Sequence, residues 1–83
     1  MSVFTENEVI AVIEKALEMK VGALTKYTRA EEVDIWDSVG QLSLLVALDK
    51  LFEGKIANIS EMAEADSMPK VLAILKQHLL LSD

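Results

Sequence analysis

The chain contains no cysteine, one histidine and one proline among its 83 residues. Without cysteine it can form no disulfide, and it offers neither a thiolate nucleophile nor a thiolate metal ligand. Its uninterrupted apolar runs, such as Leu44–Leu48, are far shorter than the roughly 20 residues that a membrane-spanning helix needs. The first residues show no basic segment followed by an apolar one. We therefore expect no secretory leader, no membrane insertion and a cytoplasmic location.

Positive charge is also scarce, with 8 Lys and Arg against 14 Asp and Glu and a net charge of -6. Such a surface repels nucleic acid and suits basic protein partners. His78 is the only histidine available to a Ser-His-Asp hydrolase, and its polar neighbours indicate a solvated position, so we expect no enzyme. The acidic cluster Glu31, Glu32 and Asp34 lacks the spacing and the glycine of a calcium loop, so no metal site is expected.

The length predicts a single domain over residues 1–83. Thr5 and Glu8 have the spacing of a capping box, and apolar residues at helical spacing follow them. These signals predict a first helix from about Glu6 to Lys20, ended by Gly22.

A second helix is predicted from Asp37 or Ser38 to about Glu53, with Gly54 as its stop. Ser38 and Gln41 also have capping-box spacing, which favours Ser38 as a helix cap. The helix is rich in leucine and valine throughout, so its register decides which side chains face the core.

The segment Gly22–Asp37 has no clear period and is interpreted as a long loop pinned to the core by scattered apolar residues. These residues are Leu24, Tyr27, Val33, Ile35 and Trp36. A short helix is predicted over Ser60–Ala65. A last helix is predicted from near Ser67, with Ser67 as its N-cap and Pro69 in its first turn. The predicted fold class is therefore all-α, an antiparallel bundle of three main helices plus one short helix.

The second helix has two apolar sides when its residues are placed at about 100° each. One side, with the last helix, forms the predicted core, comprising Leu44, Leu48, Phe52, Val71, Leu72 and Leu75. The other side, here called the partner face, comprises Val39, Leu42, Val46, Asp49 and Glu53. A helix that serves only a core needs one apolar stripe, so we interpret the partner face as a docking surface for another protein. The alternative is a helix buried on all sides at the centre of the bundle.

The segments Val33–Leu42 and Leu44–Phe52 resemble the signature of the acyl carrier protein family. In that family an Asp-Ser pair opens the second helix and a hydrophobic residue follows, as Asp37, Ser38 and Val39 do here. An Ala-Leu pair and an aromatic residue come later on the same helix, matched by Ala47, Leu48 and Phe52. The resemblance covers most of the chain, because the helix order and the long first loop also agree.

This resemblance implies that a phosphopantetheinyl transferase attaches 4'-phosphopantetheine to the Ser38 hydroxyl. Our own hypothesis is that Asp37 assists this modification by helping to bind the metal ion that accompanies the pantetheine donor in the transferase. The arm would carry acyl intermediates as thioesters to acyl-loading and acyl-processing enzymes of fatty-acid, polyketide or a related specialised pathway. It implies an acyl pocket among the helices, for which the predicted core residues are the candidates. A monomer is the expected state. Two alternatives stay open, namely an aminoacyl or peptidyl carrier and a helical adaptor without a prosthetic group.

Overall fold

Three α-helices build the framework of the protein, in a computed structural model that describes residues 4–81. They are α1 (Glu6–Ala16), α2 (Ser38–Leu51) and α3 (Met68–Gln77). Three short 3₁₀ helices lie between them, at Ala30–Glu32, Ile56–Asn58 and Ser60–Glu64. Within residues 4–81 there are no strands, only two isolated β-bridges. The all-α prediction is confirmed, and the short helix predicted over Ser60–Ala65 is the last of the 3₁₀ helices.

The starts of α1 and α3 follow from side chains within three residues of the cap. At α1 the Thr5 hydroxyl accepts from the Glu8 amide at 3.2 Å, and the Glu8 carboxylate accepts from the Thr5 amide at 2.9 Å. At α3 the Ser67 hydroxyl accepts from the Lys70 amide at 3.3 Å, with Pro69 in the first turn. Both predicted N-caps are therefore confirmed, since capping depends on neighbours in sequence.

The end of α1 differs from its prediction, because the helix stops at Ala16 rather than near Lys20. Glu18 adopts a left-handed conformation with φ of 57°, and the amide of Met19 donates to the carbonyl of Glu14 at 2.8 Å. This hydrogen bond closes a Schellman motif and satisfies a carbonyl of the last turn. Gly22, the predicted stop, lies beyond the helix in the loop.

The ends of α2 and α3 repeat this pattern. α2 ends at Leu51, and Glu53 adopts a φ of 57° just before Gly54, whose amide donates to the carbonyl of Asp49 at 2.8 Å. The prediction placed the end of α2 near Glu53, two residues too late. α3 closes in the same way through Leu79, at a φ of 60°.

The start of α1 lies beside the ends of both other helices. The ring of Phe4 meets the ring of Phe52 edge to face at 5.3 Å, and Lys76 pairs with Glu6 at 2.7 Å. The end of α1 meets the start of α2, where Leu17 lies against Gly40. α1 therefore runs antiparallel to α2.

The core lies between the three helices and the two connecting segments. All six predicted core residues are buried, namely Leu44, Leu48, Phe52, Val71, Leu72 and Leu75. They pack with Val9 and Ile13 of α1 and with Met62 of the last 3₁₀ helix, which are fully buried. No helix in the described part of the chain is long and apolar enough to cross a membrane.

Candidate functional site

The start of α2 places an exposed serine at the first helical position. Asp37 is the N-cap, and its carboxylate oxygen Oδ1 accepts from the amide of Gly40 at 2.9 Å. The prediction of a capping box between Ser38 and Gln41 is therefore wrong, because Asp37 has taken the capping role one residue earlier. Ser38 is exposed to solvent, among first-turn amides that helix geometry leaves without a partner inside the helix.

The loop before Ser38 is held by a buried tryptophan. Trp36 is 4% exposed, and its indole Nε1 donates to Oε1 of Gln41 at 2.6 Å. The amide Nε2 of Gln41 donates in turn to the carbonyl oxygens of Met62 at 3.1 Å and Ala63 at 3.3 Å. One side chain of α2 thus joins the loop to the 3₁₀ helix Ser60–Glu64, a role that sequence analysis missed.

Gly40 lets the same loop approach α2 closely. A Cβ added at Gly40 would lie 2.1 Å from the carbonyl oxygen of Ile35 and 3.2 Å from the side chain of Leu17. No side chain fits this gap without movement of the backbone at Ile35. The loop therefore reaches Ser38 along a path that depends on a residue without a side chain.

Only part of the predicted loop anchoring is found. Leu24 and Trp36 are buried and Val33 is half-buried, whereas Tyr27 and Ile35 are 71% and 46% exposed. The predicted anchoring through Tyr27 and Ile35 is wrong.

A polar side chain of α1, rather than Tyr27 or Ile35, helps to anchor the loop between α1 and α2. The carboxylate oxygen Oε2 of the buried Glu14 accepts from the amides of Gly22 and Leu24, each at 2.9 Å. A glutamate on a helix is usually exposed to solvent, so the sequence did not predict these hydrogen bonds to Glu14.

Three residues of the partner face form an exposed apolar strip on α2, whereas the other two, Asp49 and Glu53, do not belong to that strip. Val39, Leu42 and Val46, here called the apolar strip, are 70%, 62% and 55% exposed. The alternative of a helix buried on all sides is therefore wrong. Asp49 is half-buried, and its Oδ1 accepts from the amide of Ala57 at 3.0 Å, which ties the 3₁₀ helix Ile56–Asn58 to α2.

Glu53, the last predicted member of the partner face, is exposed but lies past the end of α2. Its left-handed backbone breaks the helical register that placed it beside Asp49. The helical surface that carries the apolar strip therefore ends before Glu53.

A groove and a smaller hollow lie beside α2, and neither is lined by the six predicted core residues. A groove of about 400 Å³ lies between α2 and residues 56–63, with Leu45, Ile56, Ile59 and Met62 in its lining. A hollow of about 340 Å³ lies beside Ser38, lined among others by Trp36, Gln41, Ala63 and Asp66. The core residues named as acyl-pocket candidates are packed among themselves instead.

In the hollow beside Ser38, the negative charge of Asp66 is balanced by the positive charge of Lys70. Asp66 lines the hollow, and Lys70 contacts the Asp66 carboxylate at 2.9 Å, which holds the pKa of that carboxyl below its ordinary value. The first turn of α2 carries no acidic residue. Comparison of the chain with protein-family models, curated proteins and solved structures finds no match.

Proposed function

We propose that the protein is an acyl carrier protein whose 4'-phosphopantetheine arm is attached to Ser38. The observation that carries this proposal is the contrast between two serines at helix starts. Ser67 is 5% exposed, and its hydroxyl is engaged as the cap of α3. Ser38 is exposed, and Asp37 performs the capping at α2. The Ser38 hydroxyl is therefore accessible to a modifying enzyme without loss of the helix cap.

The local electrostatics suit the negative charge that such an arm carries. The first-turn amides of α2 and the positive end of the helix dipole favour a phosphodiester at Ser38. Asp37 keeps one carboxylate oxygen on the amide of Gly40, and its second oxygen is the candidate contact to the metal ion in the transferase. When bound, the arm supplies a terminal thiol that carries acyl groups as thioesters.

The attachment is a phosphoryl-type transfer onto the serine oxygen. The Ser38 oxygen forms a bond to the phosphorus next to the pantetheine of coenzyme A, and the pyrophosphate P–O bond of that phosphorus breaks. Adenosine bisphosphate leaves, and the hydroxyl proton passes to a base of the transferase. The protein itself acts as a substrate here, and the later acyl chemistry belongs to the enzymes that load and process the cargo.

The apolar strip next to Ser38 suits docking of those enzymes. Val39 directly follows the serine, and Leu42 and Val46 continue the strip along the same side of α2. Contiguous exposed apolar patches rimmed by polar residues are typical of protein-interaction sites. The overall charge of -6 favours partners with basic surfaces.

We assign the acyl chain to the groove between α2 and residues 56–63 rather than to the six predicted core residues. The groove is open and lined mainly by apolar side chains, among them Leu45, Ile59 and Met62. The six core residues are closely packed against one another, so an acyl chain inserted among them would have to displace their side chains. Loading assays distinguish fatty-acyl, polyketide and aminoacyl cargo.

The experiment that tests the proposal is intact-protein mass spectrometry after incubation with a broad-specificity phosphopantetheinyl transferase and coenzyme A. We expect the wild type to gain the mass of one phosphopantetheine and Ser38→Ala to gain nothing. Ser43→Ala, which removes an exposed hydroxyl from the same helix, is the matched control and should be modified like the wild type.

A folded wild type that gains no mass would remove the carrier proposal. The exposed apolar strip would then favour the adaptor alternative, in which α2 docks a partner without any arm. A gain that persists in Ser38→Ala would assign the arm to another residue.

A further inference from the structure

Gln41 occupies the point where three parts of the structure meet. It lies one turn after Ser38 on α2, and it is half-buried. Its carbonyl oxygen accepts from the indole of Trp36 at 2.6 Å, and its amide donates to the carbonyls of Met62 and Ala63 at 3.1 and 3.3 Å. Gln41 therefore connects the loop before Ser38, the helix that Ser38 opens and the 3₁₀ helix Ser60–Glu64.

The chemistry of this position favours a carboxamide over the other side chains of similar size. A carboxamide offers one acceptor for the indole and two donors for the two carbonyls. A carboxylate accepts from the indole but repels both carbonyl oxygens. A methionine satisfies none of these groups and leaves the buried indole N–H of Trp36 without its acceptor.

The 3₁₀ helix held by Gln41 forms a wall of both hollows beside α2. Ala63 lines the hollow next to Ser38 as well as the groove on the other side, and Met62 lines the groove. A shift of this helix away from Gln41 changes the surface next to Ser38 without altering Ser38, Asp37 or the apolar strip.

From this geometry we propose that Gln41 is a positioning residue for the modification of Ser38. It holds the loop before Ser38 and the 3₁₀ helix Ser60–Glu64 in the one arrangement around Ser38 that the transferase binds. The inference rests on the proposed carrier function. Gln41 itself does not touch the reacting atoms, so its effect falls on recognition of the carrier by the transferase rather than on the transfer step.

The test measures transferase kinetics on four variants at a temperature where each is folded. Gln41→Glu and Gln41→Met are compared with Gln77→Glu and Gln77→Met, which make the same changes at an exposed glutamine of α3. We expect both Gln41 variants to raise the KM for the carrier about tenfold with kcat nearly unchanged, since the loss is one of binding. The Gln77 variants should match the wild type, which controls for charge and for side-chain chemistry.

Tryptophan fluorescence supplies a readout that is independent of the transferase. Gln41→Met should shift the Trp36 emission, because it removes the acceptor of the indole, whereas Gln41→Glu retains an acceptor and should shift it less. Hydrogen exchange at Met62 and Ala65, whose amides belong to the 3₁₀ helix and its end, should speed up in both variants.

The outcomes separate this inference from the carrier proposal. A wild type that is not modified overturns both. A wild type that is modified, with Gln41 variants of unchanged KM, overturns the positioning role alone. A fall in kcat at constant KM also overturns it, because it would place Gln41 in the transfer step. Equal KM increases in the Gln41 and Gln77 variants would assign the effect to charge or composition rather than to position.

Discussion

At the scale of single residues, the environment of Ser38 depends on a position without a side chain. Gly40 lies in the first turn of α2, and glycine within a helix is normally unfavourable by up to roughly 1 kcal/mol relative to alanine. Here that cost is offset by the approach of the Ile35 carbonyl, which leaves no space for a Cβ. Helix propensity and tertiary packing therefore predict opposite changes in the free energy of unfolding for Gly40→Ala.

We predict that Gly40→Ala lowers the free energy of unfolding by about 1–3 kcal/mol, the usual cost of overpacking, even though alanine is the better helix former. The matched control is Ser43→Ala at an exposed position of the same helix, which should be neutral or slightly stabilising. Urea denaturation followed by circular dichroism measures both. A Gly40→Ala variant more stable than the wild type would show that the loop at Ile35 yields easily.

At the scale of elements, all three α-helices end on a left-handed residue that is not glycine. These residues are Glu18, Glu53 and Leu79, with φ between 57° and 60°. An L-residue in this region is strained by its Cβ, and glycine is the usual occupant of the position. The hydrogen bonds of the Schellman motif and the packing of the core hold these residues in place despite the strain.

Replacing Glu18 with glycine is expected to raise the free energy of unfolding by up to about 1 kcal/mol, because relief of the strain exceeds the entropy that glycine adds to the unfolded chain. Lys15→Gly, inside the last turn of α1, is the control and should lower stability by a similar amount. Thermal and urea denaturation of both variants give the comparison. Destabilisation by both would mean that the Glu18 side chain contributes contacts worth more than the strain.

At the scale of the whole molecule, the first and last helices are joined by a surface ion pair. Lys76 of α3 contacts Glu6 of α1 at 2.7 Å, and its hydrogen bond and charge hold the pKa of the Glu6 carboxyl below its ordinary value. A carboxyl whose pKa is lowered on folding stabilises the protein above its unfolded-state pKa. That contribution disappears as the pH falls through the folded-state pKa.

Glu6→Gln should therefore be less stable than the wild type at neutral pH and equal to it in acid. The loss should be below about 1 kcal/mol, because an ion pair near the surface is screened by solvent. Urea denaturation across the acidic range, with Lys76→Met and the double variant completing a cycle, isolates the pair from other carboxyls such as Asp66. A difference that persists in acid would assign the effect of Glu6 to packing instead.

Several features of the protein were determined by its sequence alone, because their causes lie within a few residues. The N-caps Thr5 and Ser67 act on amides three positions away. The apolar periodicity identified the six core residues, and it separated them from the apolar strip on α2. These are local or periodic signals, and no distant contact is needed to create them.

Other features were decided only by the tertiary structure, because their causes lie far apart along the chain. Gln41 finds its partners in the 3₁₀ helix about 21 residues later, and Glu14 holds the amide of Leu24 ten residues on. The end of α1 came before Gly22, because Glu18 reverses the chain there and Glu14 binds the Gly22 amide. The sequence around a polar helix residue does not indicate which distant group that residue will hydrogen-bond. Its role is decided when packing brings that group within hydrogen-bonding distance and leaves it without water.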